Sequence, residues 1–234
     1  MSSKVHITYL FDPLCGWCYG ASGIVKQLSS RPEFEVELAP TGLFAGRGAR
    51  PMDAQFAAFA WSNDLRIAAL TGQTFSEDYR AQVLGKQGGM LDSAPATLAL
   101  TAVALTAPAA DLDALRLIQE ARYIHGLDVT ETAALIDILE AGGFGVAAAR
   151  LVSPDEELLE ANRRRVAAAR ALKDEFRVDG VPALIVDDGK SRRQIGASSL
   201  FGDLDLISRL LEARESAIFG ALPAEGGAPR VVGN

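Results

Sequence analysis

The position of the two cysteines is the feature that most constrains how this chain folds. They lie three positions apart in FDPLCGWCYG, residues 11–20, and the chain has no others. The run at 5–11 alternates apolar with polar side chains until an Asp-Pro pair interrupts it, which predicts a strand. Helical spacing of apolar residues follows over 19–29, and glutamates alternate with apolar residues over 33–38. The sequence therefore predicts a βαβ unit with both cysteines at the N-terminus of its helix.

The middle of the chain is rich in Ala and Leu and has almost no strand-like run. Helical spacing and terminating glycines predict helices at 51–70, 76–84, 93–105, 111–125, 130–141 and 153–176. Ser153 followed by Pro154 is typical of a helix start, with Ser as N-cap and Pro in the first turn. We therefore expect an uninterrupted helical block.

Strand-like sequence returns after this block. An apolar run at 183–186, a turn at 187–190 and a second strand at 193–196 precede a helix at 198–214. The predicted order is βαβ, helical insert, ββα. Three units follow from it: a discontinuous α/β domain from 1–50 and 179–220, a helical insertion domain at 51–178, and a mobile tail rich in Pro, Gly and Ala at 221–234.

Composition and charge exclude several classes of function. The chain of 234 residues is 49% hydrophobic, enough to bury a core without crosslinks. Its 23 Lys and Arg against 30 Asp and Glu give a net charge of -7, the wrong sign for nucleic acid or an anionic membrane. The N-terminal sequence does not resemble a secretory signal, and no apolar run reaches the length of about 18 residues that a bilayer span needs. We expect a cytosolic protein with neither nucleic acid nor membrane as a partner.

A thiol redox centre is the chemistry that this cysteine pair favours. Unpaired N–H groups and the partial positive charge at a helix N-terminus stabilise a thiolate, so we expect Cys15 to be the nucleophile. Cys18 lies one turn later on the same helix face, within reach of disulfide closure, and should be the more buried, resolving thiol. Cys15 would attack a substrate disulfide and Cys18 would release the mixed disulfide, or the reverse sequence would oxidise a dithiol.

Three other uses of the cysteines are weighed against this one. A structural zinc site needs four ligands, and the chain adds only His6 and His125, which are predicted on a strand and in the helical block. The exposed location of a strand-to-helix junction disfavours an inert buried pair. A reducing compartment disfavours a permanent structural disulfide. No metal or other bound cofactor is therefore expected.

Together these features resemble the DsbA-like branch of the thioredoxin superfamily, and particularly its cytosolic members regarded as protein-disulfide isomerases. The resemblance rests on FDPLCGWCYG, on DSAPATLAL from Asp92, on ARYIHGLDVT from Ala121 and on GVPALIV from Gly180, and it extends to about Arg214. It implies a thioredoxin-like α/β fold (βαβ then ββα) with a large all-helical insertion, and the activity of a thiol-disulfide oxidoreductase.

The resemblance also assigns roles to residues near the cysteines. The position of Pro182 is a cis-proline that faces the CxxC motif in that branch, and Val181 before it helps to select the substrate. In periplasmic DsbA a Pro-His dipeptide separates the cysteines, and its His makes the disulfide strongly oxidising. Gly16 and Trp17 occupy those places here and supply no cation, which implies a milder redox couple.

Two residues beside the cysteines each have two interpretations. Trp17 is expected at the surface, where its ring would either pack against an apolar stretch of substrate or simply cover the helix end. Asp12 is expected to cap the active-site helix, with a proton-shuttle role as the less favoured alternative.

The leading functional hypothesis is a thiol-disulfide oxidoreductase or isomerase acting on protein, peptide or small-molecule thiols and disulfides. Glutathione is a candidate redox partner, and a reducing cytosol favours reduction or isomerisation over oxidation. A second hypothesis comes from related branches that act as glutathione-dependent transferases or isomerases and carry Ser where this chain has Cys15. A third is a non-catalytic binding module whose cysteines sense redox state.

Overall fold

The computed structural model describes residues 4–86, 88–202 and 205–210. The tail predicted at 221–234, and residues 211–214 of the predicted closing helix, lie outside these ranges. Within them the strands are β1 (Val5–Phe11), β2 (Phe34–Pro40), β3 (Arg50–Pro51), β4 (Met90–Leu91), β5 (Ala183–Asp187) and β6 (Arg192–Gly196).

Four of these strands form one mixed sheet in the order β2-β1-β5-β6. β1 is parallel to β2 and antiparallel to β5, and β6 is antiparallel to β5. The predicted βαβ and ββα units are therefore confirmed, and they share this sheet although a long helical segment separates them in the chain.

The helices follow the same order along the chain. They are α1 (Gly16–Gly20), α2 (Ser22–Ser29), α3 (Ala54–Thr71), α4 (Ala94–Thr106), α5 (Asp111–Tyr123), α6 (Thr132–Ala141), α7 (Gly145–Val152), α8 (Glu156–Glu175) and α9 (Ala197–Gly202). Residues 206–210 are also helical, and Tyr79–Leu84 form a π-helical segment. The helical segment between β2 and β5 confirms the predicted α/β class with a helical insertion.

The central sheet is packed on both faces. Because side chains alternate along a strand, Ile7, Tyr9 and Phe11 of β1 point into the main hydrophobic core, which also contains residues of α2, α4 and α5. Leu10 points to the opposite face and packs in a smaller cluster with Ala169 of α8. The C-terminal end of β1, where the cysteines follow, is thus held between two packed layers.

The start of α8 differs from the sequence-based prediction. Asp155 rather than Ser153 is the N-cap, and its carboxylate accepts a hydrogen bond from the backbone N–H of Leu158 at 2.8 Å. Both residues are favoured caps, but Asp155 also pairs with Arg150 at 2.7 Å, which holds the carboxylate at this end. The preceding helix α7 was not predicted, because its short apolar sequence begins at a glycine.

The insertion is not all helical, in contrast to the prediction. β3 and β4 pair antiparallel, with Arg50 opposite Leu91, and the backbone N–H of Met52 extends the pairing to the carbonyl of Gly89 at 2.8 Å. Strands of two residues are too short to show the alternation that marks longer strands in a sequence. This ladder closes the loop that leads from the sheet into α3.

Candidate active site

The cysteine pair lies directly after β1, at the start of α1. The backbone N–H of Cys15 donates to the carbonyl of Asp12 at 3.1 Å, and Cys15 takes the N-cap position of α1 with φ -85° and ψ 116°. Both thiols are free, with Cys15 7% exposed and Cys18 0% exposed. Cys18 is the more buried of the two, as predicted. The junction itself is far less exposed than the sequence indicated, because the insertion and the loop before β5 cover it.

The loop before β5 brings Val181 and Pro182 to the cysteine pair. Because β5 runs antiparallel to β1, with Leu10 opposite Ala183, the residues just before β5 lie beside those just after β1. The Val181–Pro182 peptide bond is cis. The thiol of Cys15 donates a hydrogen bond to the carbonyl oxygen of Val181, with sulfur and oxygen 3.7 Å apart.

Electrostatics distinguishes the second cysteine from the first. Burial raises the pKa of the Cys18 thiol well above its ordinary value, and a hydrogen bond and the charge of Cys15 raise it further. The hydroxyl of Tyr9, whose own pKa is raised by burial, donates to the carbonyl oxygen of Cys18 at 3.0 Å. Cys18 is therefore held as a protonated thiol in the interior.

Asp12 does not cap α1, contrary to the prediction. Its buried carboxylate accepts hydrogen bonds from the backbone N–H of Leu14 at 2.9 Å, from that of Phe44 at 3.1 Å and from the hydroxyl of Ser93 at 2.7 Å. Burial raises the pKa of Asp12 even though these hydrogen bonds lower it. Because Asp12 lies at the end of β1, three residues before the N-cap Cys15, its side chain ties the turn to two distant segments instead.

Gly16 and Trp17, between the cysteines, have different surroundings. The Trp17 ring is half-buried rather than at the surface; it packs against Phe201 with ring centroids 5.2 Å apart, and the guanidinium of Arg66 lies 5.8 Å from its centre. Gly16 faces α3, where a Cβ atom on it would be 2.4 Å from Oδ1 of Asp64. A larger residue at position 16 would therefore displace Asp64.

A cavity of about 190 Å³ lies beside Cys15, between the start of α1 and the insertion. We call it the Cys15 pocket. Its lining is mostly apolar and consists of Leu14, Cys15, Gly16, Trp17, Phe44, Met52, Phe56, Phe59, Ala60, Asn63, Asp64, Ile67, Tyr79, Leu84, Leu91, Arg122 and Tyr123. The pocket gives a small apolar group a place next to the candidate nucleophile.

Three of the buried side chains that line this mostly apolar pocket lie together, and we call them the Asp64–Tyr79–Arg122 cluster. Their exposed fractions are 4%, 2% and 2% in that order. The hydroxyl of Tyr79 donates to Oδ2 of Asp64 at 3.1 Å, and the Arg122 guanidinium lies 5.4 Å from the centre of the Tyr79 ring. Burial raises the pKa of Asp64 to about 7, although the Tyr79 hydrogen bond and the Arg122 charge lower it.

Sequence reasoning missed this cluster because its members are single polar residues in three separate helical segments. A signal for one of them was available. Arg122 shares a face of α5 with Leu115 and Ile118, which are both buried, so helical spacing places an arginine at a core position. Arginines are almost never fully buried unless they are paired, and such a position therefore marks a candidate functional residue.

The described ranges contain neither a candidate metal site nor a candidate membrane span. No group of three or more His, Cys, Asp or Glu side chains there is arranged to hold a metal ion. His6 lies instead at the surface beside Glu35, with Nδ1 and Oε2 3.6 Å apart. None of the helices described is both long and apolar enough to cross a bilayer.

Comparison with known proteins agrees with this architecture. The profile of the family described as DSBA-like thioredoxin domain matches residues 6–207. No curated protein sequence matches the chain. Among solved structures, the cytosolic disulfide reductase DsbM from Pseudomonas aeruginosa has a TM-score of 0.78 and 28% sequence identity, and the match covers 91% of this chain and 99% of that one.

Two further solved structures are similar to this chain, one of them with GSH and the other an isomerase. DsbM from Pseudomonas aeruginosa with GSH matches with a TM-score of 0.73 and 28% identity over 90% of this chain and 98% of that one. A 2-hydroxychromene-2-carboxylate isomerase matches with a TM-score of 0.62 and 16% identity over 92% of this chain and 98% of that one. The second likeness shows the fold alone.

Proposed function

Because the chain belongs to the DSBA-like thioredoxin domain family and is therefore a thiol-disulfide oxidoreductase, we propose that Cys15 is its attacking thiol and Cys18 its resolving thiol. The observation that carries this assignment is the difference between the two sulfurs. Cys15 lines a pocket and its thiol reaches the Val181 carbonyl, whereas Cys18 has no exposed surface and a raised pKa. A substrate can meet only the first of them.

The exchange runs in two steps. The Cys15 thiolate attacks one sulfur of a substrate disulfide, so that a mixed disulfide forms, the substrate bond breaks and the far sulfur leaves as a thiolate. Cys18 then loses its proton and attacks the Cys15 sulfur, which releases the second substrate sulfur and leaves a Cys15–Cys18 disulfide. Two electrons pass from the protein to the substrate, and a thiol such as glutathione restores the dithiol.

Variants of each cysteine test this order. Cys15→Ser is expected to abolish reduction of insulin by dithiothreitol above the uncatalysed rate, because no accessible thiol remains. Cys18→Ser is expected to retain the first attack and to accumulate mixed disulfides, which mass spectrometry of the alkylated protein detects. Activity that survives in Cys15→Ser, or mixed disulfides that form on Cys18 instead, would refute the assignment.

We propose that the protein reduces or isomerises disulfides in the cytosol, with glutathione as its redox partner. The support comes from DsbM, which is described as a cytosolic disulfide reductase and has a structure with GSH. The Gly16-Trp17 dipeptide adds to it, since no cation between the cysteines stabilises the reduced form. A titration against glutathione is expected to give a less oxidising couple than that of DsbA, and an equally oxidising couple would contradict this.

The loop before β5 is proposed to bind the substrate beside the reacting sulfur. The Val181 carbonyl lies next to the Cys15 sulfur, and Pro182 offers no N–H, so an extended substrate segment has backbone and an apolar ring to lie against. Trp17 lines the adjoining pocket and is proposed to contact apolar substrate atoms there. Asp12 is proposed to support the site by fixing the turn before Cys15.

A further inference from the structure

Arg122 is a buried cation that forms no ion pair within the described part of the chain, although the charges of Asp64 and Asp128 act on it. Its side chain is 2% exposed, and Nε and Nη1 have no hydrogen-bond partner. None of the ion pairs found among the described residues includes it. Its neighbours are instead the faces of the Tyr79 and Tyr123 rings, whose centres lie 5.4 and 5.7 Å from Cζ. The guanidinium therefore keeps donors free for a group that is not part of the protein.

Asp64 is the carboxyl group of the pocket, and it does not neutralise this charge. It forms no ion pair with Arg122, and its Oδ2 atom is engaged by the hydroxyl of Tyr79 at 3.1 Å. Burial raises its pKa to about 7, so that a large fraction of the carboxyl is protonated at neutral pH. Asp64 thus leaves Nε and Nη1 of Arg122 without a partner, and an entering anion could accept hydrogen bonds from the guanidinium.

Arg122 and Cys15 line the same pocket, and most of the surface that they share there is apolar. Phe44, Phe56 and Leu84 contribute to that surface. A guanidinium binds a carboxylate through two parallel hydrogen bonds, and its affinity is greater where water is excluded. At about 190 Å³ the pocket holds a small molecule with an apolar arm, not a folded segment of a protein.

We propose that the Cys15 pocket binds a small disulfide that carries a carboxylate on an apolar arm, with the carboxylate on Arg122 and the disulfide at Cys15. This inference rests on the proposed exchange at Cys15 and names a substrate class for it. Cys15 bonds to the near sulfur, and the far half leaves as a thiolate. Cys18 then closes the protein disulfide and frees the second half. The two protons of the dithiol end on the two thiols released, and the protein loses the two electrons that the ligand gains.

A matched pair of disulfides tests the proposal on the unmodified protein. Dithiodibutyrate and its diamide have the same disulfide and the same arm, and only the first carries carboxylates. We expect the reduced protein to be oxidised at least about tenfold faster by the acid than by the amide, after each rate is divided by that of free dithiothreitol with the same compound. Acid quenching followed by alkylation measures the rates. A normalised ratio near one would overturn the proposal.

Variants of two arginines then test whether Arg122 causes the preference for the acid over the amide. Arg122→Met, which keeps the length and apolar contacts of the side chain, is expected to abolish the preference for the acid, and Arg122→Lys to keep part of it. Arg80→Met removes an exposed arginine near the pocket and is expected to preserve the preference. A preference that survives in Arg122→Met, or that falls equally in Arg80→Met, would contradict binding at Arg122.

Direct binding separates this inference from the proposed function. Phenylbutyrate has the apolar arm and the carboxylate but no sulfur, so it reports on the pocket even if no disulfide exchange occurs. Calorimetric titration is expected to show it binding at least about tenfold more tightly than phenylbutyramide, and this difference should vanish in Arg122→Met. Equal binding of acid and amide would refute the carboxylate site, whereas a clear difference with no exchange of either disulfide would refute only the proposed function.

The thermal stability of Arg122→Met distinguishes binding from a structural role. Loss of an uncompensated buried charge is expected to leave the melting temperature unchanged or to raise it. A large fall in that temperature, together with equal rates for acid and amide in the unmodified protein, would assign Arg122 to the core.

Discussion

At the scale of single residues, the space around Gly16 shows how closely the insertion fits the active-site turn. A Cβ atom on Gly16 would be 2.4 Å from Oδ1 of Asp64 and 3.3 Å from Cδ1 of Ile67. Gly16→Ala is therefore expected to lower the free energy of unfolding by about 1–3 kcal/mol through overpacking. Urea denaturation followed by circular dichroism measures the change.

Gly23 provides the matched control on the neighbouring helix. A Cβ atom there meets no other atom within 4 Å, so Gly23→Ala is expected to be neutral or to stabilise by about 0.5–1 kcal/mol. In an Asp64→Ala background the cost of Gly16→Ala should largely disappear, because the clashing atom is gone. An equal cost in both backgrounds would show that Asp64 is not the obstacle.

Asp64 also makes stability depend on pH in a direction that can be stated. Its pKa is about 7 in the folded protein against 3.8 as the ordinary value, so the folded state binds more protons between these two pH values. The free energy of unfolding gains a contribution from the neutral carboxyl that is fully present below pH 3.8 and is lost as the pH rises through about 7. This contribution amounts to at most about 4 kcal/mol. Asp64→Asn should remove this dependence of stability on pH, because the amide does not titrate.

The measurement is the difference in the free energy of unfolding between about pH 5 and about pH 8, from urea titrations. We expect this difference to be smaller in Asp64→Asn than in the unmodified protein. Asp137→Asn makes the same substitution at an exposed position of α6 and should leave the difference between the two pH values unchanged. A pH dependence that is identical in Asp64→Asn and the unmodified protein would contradict a protonated Asp64.

At this scale the residues themselves were informative where they lie close together in the chain, and the resemblance alone placed Val181 and Pro182 beside the cysteines. Cys15 and Cys18 could be identified from their CxxC spacing and from the strand that precedes them. Asp64, Tyr79 and Arg122 meet only because three helical segments pack together, and the one local signal of this contact is the core position of Arg122 in α5. Asp12 illustrates the same point. Its hydrogen-bond partners Phe44 and Ser93 are distant in sequence, so the sequence alone favoured a helix cap for this residue.

At the scale of the elements, the boundary between α7 and α8 gives a direct test of helix capping. Asp155 accepts the hydrogen bond from Leu158 that a cap requires, and Ser153 lies outside the helix. Asp155→Ala is expected to lower the free energy of unfolding, because the first turn of α8 loses its cap, and Ser153→Ala is expected to change it much less. Urea titrations of both variants measure these changes, and a larger cost for Ser153→Ala would reverse the assignment.

The strands of the sheet were predicted well because each combines an alternating or a short apolar run with a turn signal. β1, β2, β5 and β6 lie where these signals place them, and the cysteines follow β1 as expected. The errors fall in the insertion, at β3, β4 and α7. The two strands have only two residues each, too few to show alternation, and α7 is a short helix that begins at a glycine. Packing against longer neighbours, rather than their own sequence, defines these pieces.

At the scale of the whole molecule, we propose that residues 1–50 and 179–220 form one structural unit with 51–178 as an insertion, and that the two unfold together. The main hydrophobic core includes residues of both. The hydroxyl of Tyr123 in the insertion donates to the carbonyl of Leu14 at 2.8 Å, next to Cys15. The active site is thus built jointly by the two parts.

The two tryptophans test this cooperativity, because Trp17 lies in α1 and Trp61 lies in α3. Trp61→Phe leaves a fluorescence signal from the first part and Trp17→Phe one from the second. For each variant we expect the fluorescence and circular dichroism transitions in urea to share one midpoint. Fluorescence that changes at a midpoint separate from that of circular dichroism would mean that the parts unfold independently.

The low exposure of Cys15 has a consequence for how long the enzyme lasts. Peroxides damage thiolates in proportion to their accessibility, and irreversible sulfinic acid formation follows when the sulfur is open to solvent. At 7% exposure, with its thiol against the Val181 carbonyl, Cys15 meets few dissolved oxidants. A disulfide that fits the pocket, as proposed above, would nevertheless reach the sulfur directly. We therefore expect the low exposure of Cys15 to slow its irreversible oxidation by peroxides and to restrict the molecules that reach it.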